Sequence, residues 1–167
     1  MAFASLNPAD ENSFNHAFAT GVSRINQGQP HSQVKVKRMI SVQFDHLHVK
    51  SRACEASARF YTTAFGASVV SSSEVNGHTR IVLELGGVRL FIEDAADDAS
   101  SAPAIPAVGL EHIGLQVADL DEVVRHLEAV GIELAIGPRS AARPGVRMAF
   151  LHGPDGEYIE LIERRNV

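Results

Sequence analysis

The 167 residues contain one cysteine, Cys54, and no tryptophan. A lone thiol rules out an internal disulfide and any site built from several thiolates, and it fits a reducing compartment. Cys54 itself reads as a small packed residue on a helix. No stretch approaches the roughly 20 apolar residues that a membrane span needs. The N-terminus also lacks the charged-then-apolar order of a signal peptide, so a cytoplasmic protein with no membrane partner is expected. Excess positive charge is missing too: 15 Lys and Arg stand against 20 Asp and Glu, a formal net charge of -5. That balance gives no basic surface for nucleic acid.

What remains is ordinary globular material, 45% hydrophobic and 21% charged, enough for one domain with a substantial core. Residues 1–40 stand apart. They are rich in Asn, Gln and Ser, carry no sustained helical or strand period, and read as an N-terminal arm.

The rest is written twice. "FDHLHVKS" at 44–51 recurs as "LEHIGLQV" at 110–117, with His46 matching His112. Each copy then supplies a helix of about three turns. In "DLDEVVRHLEAVG", Leu120, Val123, Val124, Leu127 and Val130 form one stripe, Asp119 is the N-cap with Glu122 completing a capping box, and Gly131 is the stop. In "RACEASARFYTTAFGA", Phe60, Ala64 and Gly66 take the corresponding roles.

Three short strands follow each helix, broken at Asn76-Gly77 and Gly86-Gly87 in the first half and at Pro144-Gly145 and Pro154-Asp155-Gly156 in the second. The expectation is an α+β fold of two βαβββ modules, 41–97 and 109–167, joined by a linker at 98–108. Each four-stranded sheet has one face covered by its helix and one bare face, and pairing the bare faces gives a curved half-barrel around a cavity. Alternation places Leu47, Val49, Ile113, Leu115, Ile159 and Leu161 under the helices, and His46, His112 and Glu160 in the cavity.

The duplicated βαβββ, the strands "DHLHV" and "EHIGLQV", and the closing "GPDGEYIELIE" resemble the vicinal oxygen chelate superfamily, which includes glyoxalase I, methylmalonyl-CoA epimerase, fosfomycin-resistance enzymes and extradiol dioxygenases. The resemblance covers about residues 42–164. It implies a metal ligand from the first strand of each module and a glutamate from the last strand of the second: His46, His112 and Glu160. Two neutral imidazoles and one carboxylate can hold one divalent metal (Zn, Ni, Co, Mn or Fe) and leave positions open for a bidentate substrate. Glyoxalase I and the epimerase carry a fourth ligand where this chain has Phe91, which is expected to contact substrate instead, and extradiol dioxygenases carry a tyrosine near Phe150.

Other candidates surround this set. His48 shares the face of His46, its repeat partner is Gly114, and it is expected to contact substrate or to line the groove. On the third strands, Thr79, Ile81 and Leu83 with Val146, Met148 and Phe150 are assigned to the helix side. That leaves His78 and Arg80, with Arg147 as the repeat equivalent of Arg80, facing the cavity. Two guanidinium groups there would suit an anionic substrate, unless each pairs with a local acid such as Glu84 or Glu93. Glu74, Glu160 and Tyr158 are candidates for proton transfer.

The expected activity is a metal-dependent isomerase or lyase acting on a small anionic carbonyl compound through a metal-stabilised enediolate. The alternatives are an Fe(II) dioxygenase using the same triad and a non-catalytic, bleomycin-resistance-like binding module. A homodimer is expected, as is common for family members of this length.

Overall fold

The computed structural model describes residues 41–106 and 108–165. The arm expected over 1–40 lies outside the described residues. Within them the chain runs β1 (His46–Ser51), α1 (Cys54–Phe65), β2 (Ser68–Val75), β3 (His78–Leu85), β4 (Val88–Asp94), β5 (Ile113–Val117), α2 (Leu120–Ala129), β6 (Ile136–Ser140), β7 (Val146–His152) and β8 (Tyr158–Arg164). This is βαβββ repeated. The strands form two four-stranded mixed sheets, ordered β1-β4-β3-β2 and β5-β8-β7-β6. In each, the first strand runs parallel to the last and the hairpin strands run antiparallel.

Local chemistry accounts for the boundaries. Asn76 and Gly77 both have positive φ, 53° and 81°, which is the backbone a two-residue type I′ turn requires and which Asn-Gly adopts at least cost. The side chain of Asp119 caps α2 by accepting the amide of Glu122 at 3.0 Å, which is the N-cap half of the expected capping box. Helix α1 starts differently. Ala53 offers no side-chain cap, so the free amides at this end are satisfied from the fold: Cys54 N–H donates to Asp94 on β4 at 3.2 Å, and Ala53 N–H to Ser51 Oγ at 3.0 Å. Gly66, at φ 68°, closes the helix in the left-handed conformation.

One buried cluster spans both modules, including Val49, Leu83 and Ile92 of the first and Leu127, Leu151 and Leu161 of the second. Both helix-covered faces therefore contribute to a single core. Polar bonds reinforce the junction. The loop between β7 and β8 reaches the start of α1, where Asp155 accepts from the Arg52 amide and the Ser57 hydroxyl, both at 2.8 Å. One turn further on, the buried Tyr61 hydroxyl donates to Glu157 at 3.0 Å. Burial, and then the neighbouring Glu157, push the Tyr61 phenol well above its usual range, so it remains a donor.

Strand register corrects one part of the sequence reading. Arg147, Ala149 and Leu151 lie opposite Glu163, Leu161 and Ile159. They therefore occupy the helix-covered face of the second sheet, and Val146, Met148 and Phe150 occupy the bare face with Glu160. The expected order is reversed. The physical reason is the two-residue side-chain period: a shift of one residue in pairing moves every side chain of β7 across the sheet.

Candidate functional site

The bare face of the second sheet brings His112 and Glu160 together. Gly114 lies opposite Glu160 in the parallel β5–β8 pairing, so His112, two residues earlier on the same face, meets Glu160 on the diagonal. His112 Nε2 stands 3.5 Å from Glu160 Oε2. A Cβ at Gly114 would sit 3.5 Å from the same oxygen, an ordinary contact.

The first sheet repeats the diagonal with a different pair of residues. His48 lies opposite Phe91, so the diagonal partner of His46 is Phe91. The two rings are stacked, 4.2 Å between centroids and 9° between planes. His46 thus meets an aromatic face where His112 meets a carboxylate. Among the described residues, no three His, Cys, Asp or Glu side chains form a group that could hold a metal ion.

Each histidine has a carboxylate immediately before it in the chain. Asp45 Oδ2 lies 2.6 Å from His46 Nδ1, and Glu111 Oε2 lies 3.1 Å from His112 Nδ1. A carboxylate oxygen only accepts, so a proton on Nδ1 satisfies both contacts and leaves Nε2 as the ligating nitrogen of each ring in its neutral form. This is the tautomer a metal-ligating imidazole needs, held by the outer hydrogen bond typical of such ligands. The bond from His46 also keeps Asp45 below the usual carboxylate range. The donor set fits a divalent cation in chemistry, and two of its three members are already adjacent.

The pairing of Arg80 with a local acid, the alternative raised by the sequence, is the one present, within a larger cluster on the bare face of the first sheet. Glu93 is only 6% exposed, pairs with Lys50 and Arg80, and stands 3.5 Å from His48 Nε2. Hydrogen bonding from Lys50, and then from Arg80, lowers its pKa to about 2, far below an ordinary carboxylate. The Arg80 guanidinium also lies 5.8 Å from the centroid of Phe91. Burial holds the His48 imidazole below its usual range. The sequence named Glu93 as a partner for an arginine; that Lys50 and His48 join the same carboxylate follows from the β1–β4 register, which the sequence does not show.

The remaining candidates separate. Arg147 pairs with Asp121 on α2 at 2.7 Å and with Glu163 at 3.3 Å, and these acids raise its already high pKa further. It clamps the start of α2 to the sheet and does not join Arg80 on a bare face, because Glu163 belongs to the covered side. Glu74 lies opposite Thr79 and accepts its hydroxyl at 3.0 Å, which places it on the α1 side of the first sheet, exposed and away from the histidines. His78 shares the bare face with Arg80. Tyr158 shares the face of Glu160 and stacks on Phe150 at 4.9 Å; with His48, Lys50 and His112 it lines a cavity of about 540 Å³ between the 99–112 segment and the β7–β8 loop, which His46 and Glu160 do not line.

The family model of the Glyoxalase/Bleomycin resistance protein/Dioxygenase superfamily matches residues 43–161. A glyoxalase family protein from Enterococcus faecalis is 28% identical, with 72% of this chain and 97% of that one aligned at a TM-score of 0.64. A Glu-to-Gln mutant of the fosfomycin resistance protein FosX from Listeria monocytogenes, in a complex with Mn(II) and 1S,2S-dihydroxypropylphosphonic acid, is 20% identical over 74% of this chain and 92% of that one, with a TM-score of 0.57. TioX from Micromonospora sp. ML1 is 13% identical over 74% of this chain and 100% of that one, with a TM-score of 0.58. No curated protein sequence matches the chain.

Proposed function

Because the chain belongs to the Glyoxalase/Bleomycin resistance protein/Dioxygenase superfamily, we propose that it is a divalent-metal enzyme, an isomerase or lyase acting on a small anionic carbonyl compound. His46, His112 and Glu160 would be the protein ligands. The observation that carries this reading is the His112–Glu160 pair at 3.5 Å, with Nδ1 of both histidines engaged by a preceding carboxylate. The Mn(II) and the dihydroxy phosphonic acid held by FosX support an open metal site and an oxygen-rich, anionic ligand.

When bound, the metal would supply Lewis acidity toward two adjacent substrate oxygens. The chain supplies the rest. Tyr158, two residues from Glu160 on the same strand face, would give or take the substrate proton, and Phe150 would hold its ring in place. Glu74 would need to cross the sheet to take part, so the proton-transfer role falls to Tyr158 and Glu160.

A homodimer is part of this proposal. The His46 imidazole rests on Phe91, and a second copy that brought its own His46 to the His112–Glu160 pair would complete the ligand set across the interface. The stack of His46 on Phe91 equally favours a second reading, a module that binds a small ligand without metal or catalysis.

The test is proton exchange. Metal-loaded protein in deuterated water, offered a panel of 2-oxo acids and acyl thioesters, should wash deuterium into at least one substrate, and the Tyr158→Phe variant should do so more slowly. Oxygen uptake with catechols under Fe(II) would transfer the site to dioxygenase chemistry. Tight ligand binding by metal-free protein with no turnover would favour the binding module.

A further inference from the structure

We propose that Arg139 receives the anionic end of the substrate, a phosphonate, phosphate or carboxylate group presented beside the His112–Glu160 pair; the inference rests on the metal-enzyme reading above. Arg139 lies on β6 opposite Met148, and therefore on the bare face that carries Phe150 and Glu160. Its guanidinium carbon is 5.9 Å from the centroid of the Phe150 ring, within the range of a cation–π contact. Phe150 is the register partner of Glu160 and meets the His112 ring edge to face, 6.0 Å between centroids. Arginine, phenylalanine and histidine thus run in sequence on this face.

The first sheet contains the same sequence of groups. Arg80 lies over Phe91, and Phe91 lies against His46. The two arginines differ in charge balance. Arg80 is committed to the buried Glu93 and Arg147 to Asp121 and Glu163, so neither brings unspent charge to a ligand. Arg139 makes no ion pair among the described residues. A ring contact orients a guanidinium and leaves its N–H donors available, the fork geometry that suits bidentate recognition of an oxyanion. With a divalent cation on Glu160, Arg139 leaves this half of the site positive and matched to an anion.

The test uses the full-length, metal-replete protein, titrated with methylphosphonate, acetate and the uncharged dimethyl methylphosphonate while amide chemical shifts are followed by NMR. Methylphosphonate or acetate should bind and the diester should not, and the tighter of the two acids identifies the group. Arg139→Gln should weaken that binding by about 10- to 100-fold, the scale of a lost charge-assisted bidentate contact, and Arg139→Lys should weaken it less. Arg125→Gln removes an exposed cation from α2, away from both bare faces, and should leave binding within about twofold. Unchanged binding in Arg139→Gln overturns the proposal, as does an equal loss in Arg125→Gln or equal binding of the diester. Metal content of Arg139→Gln, measured by elemental analysis, should match the parent. If the parent holds no metal, the reading in the preceding section fails, and anion binding repeated on the metal-free protein still tests Arg139.

Discussion

The imidazole of His46 lies flat on the ring of Phe91, 4.2 Å between centroids, whereas the equivalent imidazole of His112 points its Nε2 at a carboxylate 3.5 Å away. One strand position, phenylalanine on β4 and glutamate on β8, makes the difference. Replacing Phe91 by Glu should restore the symmetry and add a fourth ligand. Mn(II) affinity, measured by calorimetry, should tighten by about tenfold or more, the scale on which ligand-shell changes act. Turnover should fall, because an open position is closed.

If the ligands meet across a dimer interface, His46→Asn and Glu160→Gln damage different halves of each site. Each variant alone should bind little metal. Unfolded together and refolded as mixed dimers, they should regain metal, because one site of each mixed dimer then carries no substitution. Sites closed within a single chain would regain nothing, and a monomeric mass by light scattering would remove the dimer itself.

The Glu93 cluster should appear in the pH dependence of stability. With its pKa lowered to about 2 from an ordinary 4.5, Glu93 contributes stability that is fully present above pH 4.5 and is lost as pH falls through about 2. Glu93→Gln should unfold more easily at neutral pH by roughly 1–3 kcal/mol, the cost of leaving charged partners unpaired. The gap between variant and parent should close on acidification, as followed by urea denaturation at stepped pH. A gap that stays constant down to pH 2 would contradict this role.

The junction of the modules should depend on the β7–β8 loop. Asp155→Ala removes the acceptor of the Arg52 amide and the Ser57 hydroxyl, and Tyr61→Phe removes one donor bond to Glu157. Losses of about 1–2 and about 1 kcal/mol are expected, a fall of a few degrees in Tm for a chain of this size. Equal melting of parent and Asp155→Ala would show that the junction rests on the apolar core alone.

Much of this architecture was legible in the sequence because it rests on local chemistry. Asn76-Gly77, the Asp119 cap with Glu122, and the closing glycines Gly66 and Gly131 each mark one backbone geometry, and the His46–His112 match marks the duplication. Register was the part that could not be read. Arg80 and Arg147 each lie opposite a glutamate, Glu93 and Glu163, so they look like equivalents. But Glu93 follows Phe91 by two residues and Glu163 follows Glu160 by three, an odd difference that places the second pair on the covered face. Both faces of "VRMAFLH" carry apolar residues, so alternation in β7 could not settle the matter. Arg139 escaped for a related reason: an arginine on a short edge strand signals nothing until its pairing with Met148 places it over Phe150.

The central claim, a divalent metal on His46, His112 and Glu160, is tested most directly by elemental analysis of the protein purified without a metal-affinity tag, beside its Glu160→Gln and His48→Asn variants. Close to one divalent metal per chain is expected in the parent, with at least a tenfold weaker hold in Glu160→Gln and nearly unchanged content in His48→Asn. A parent that binds no metal, or a His48→Asn variant that loses it while His46→Asn retains it, would contradict the account.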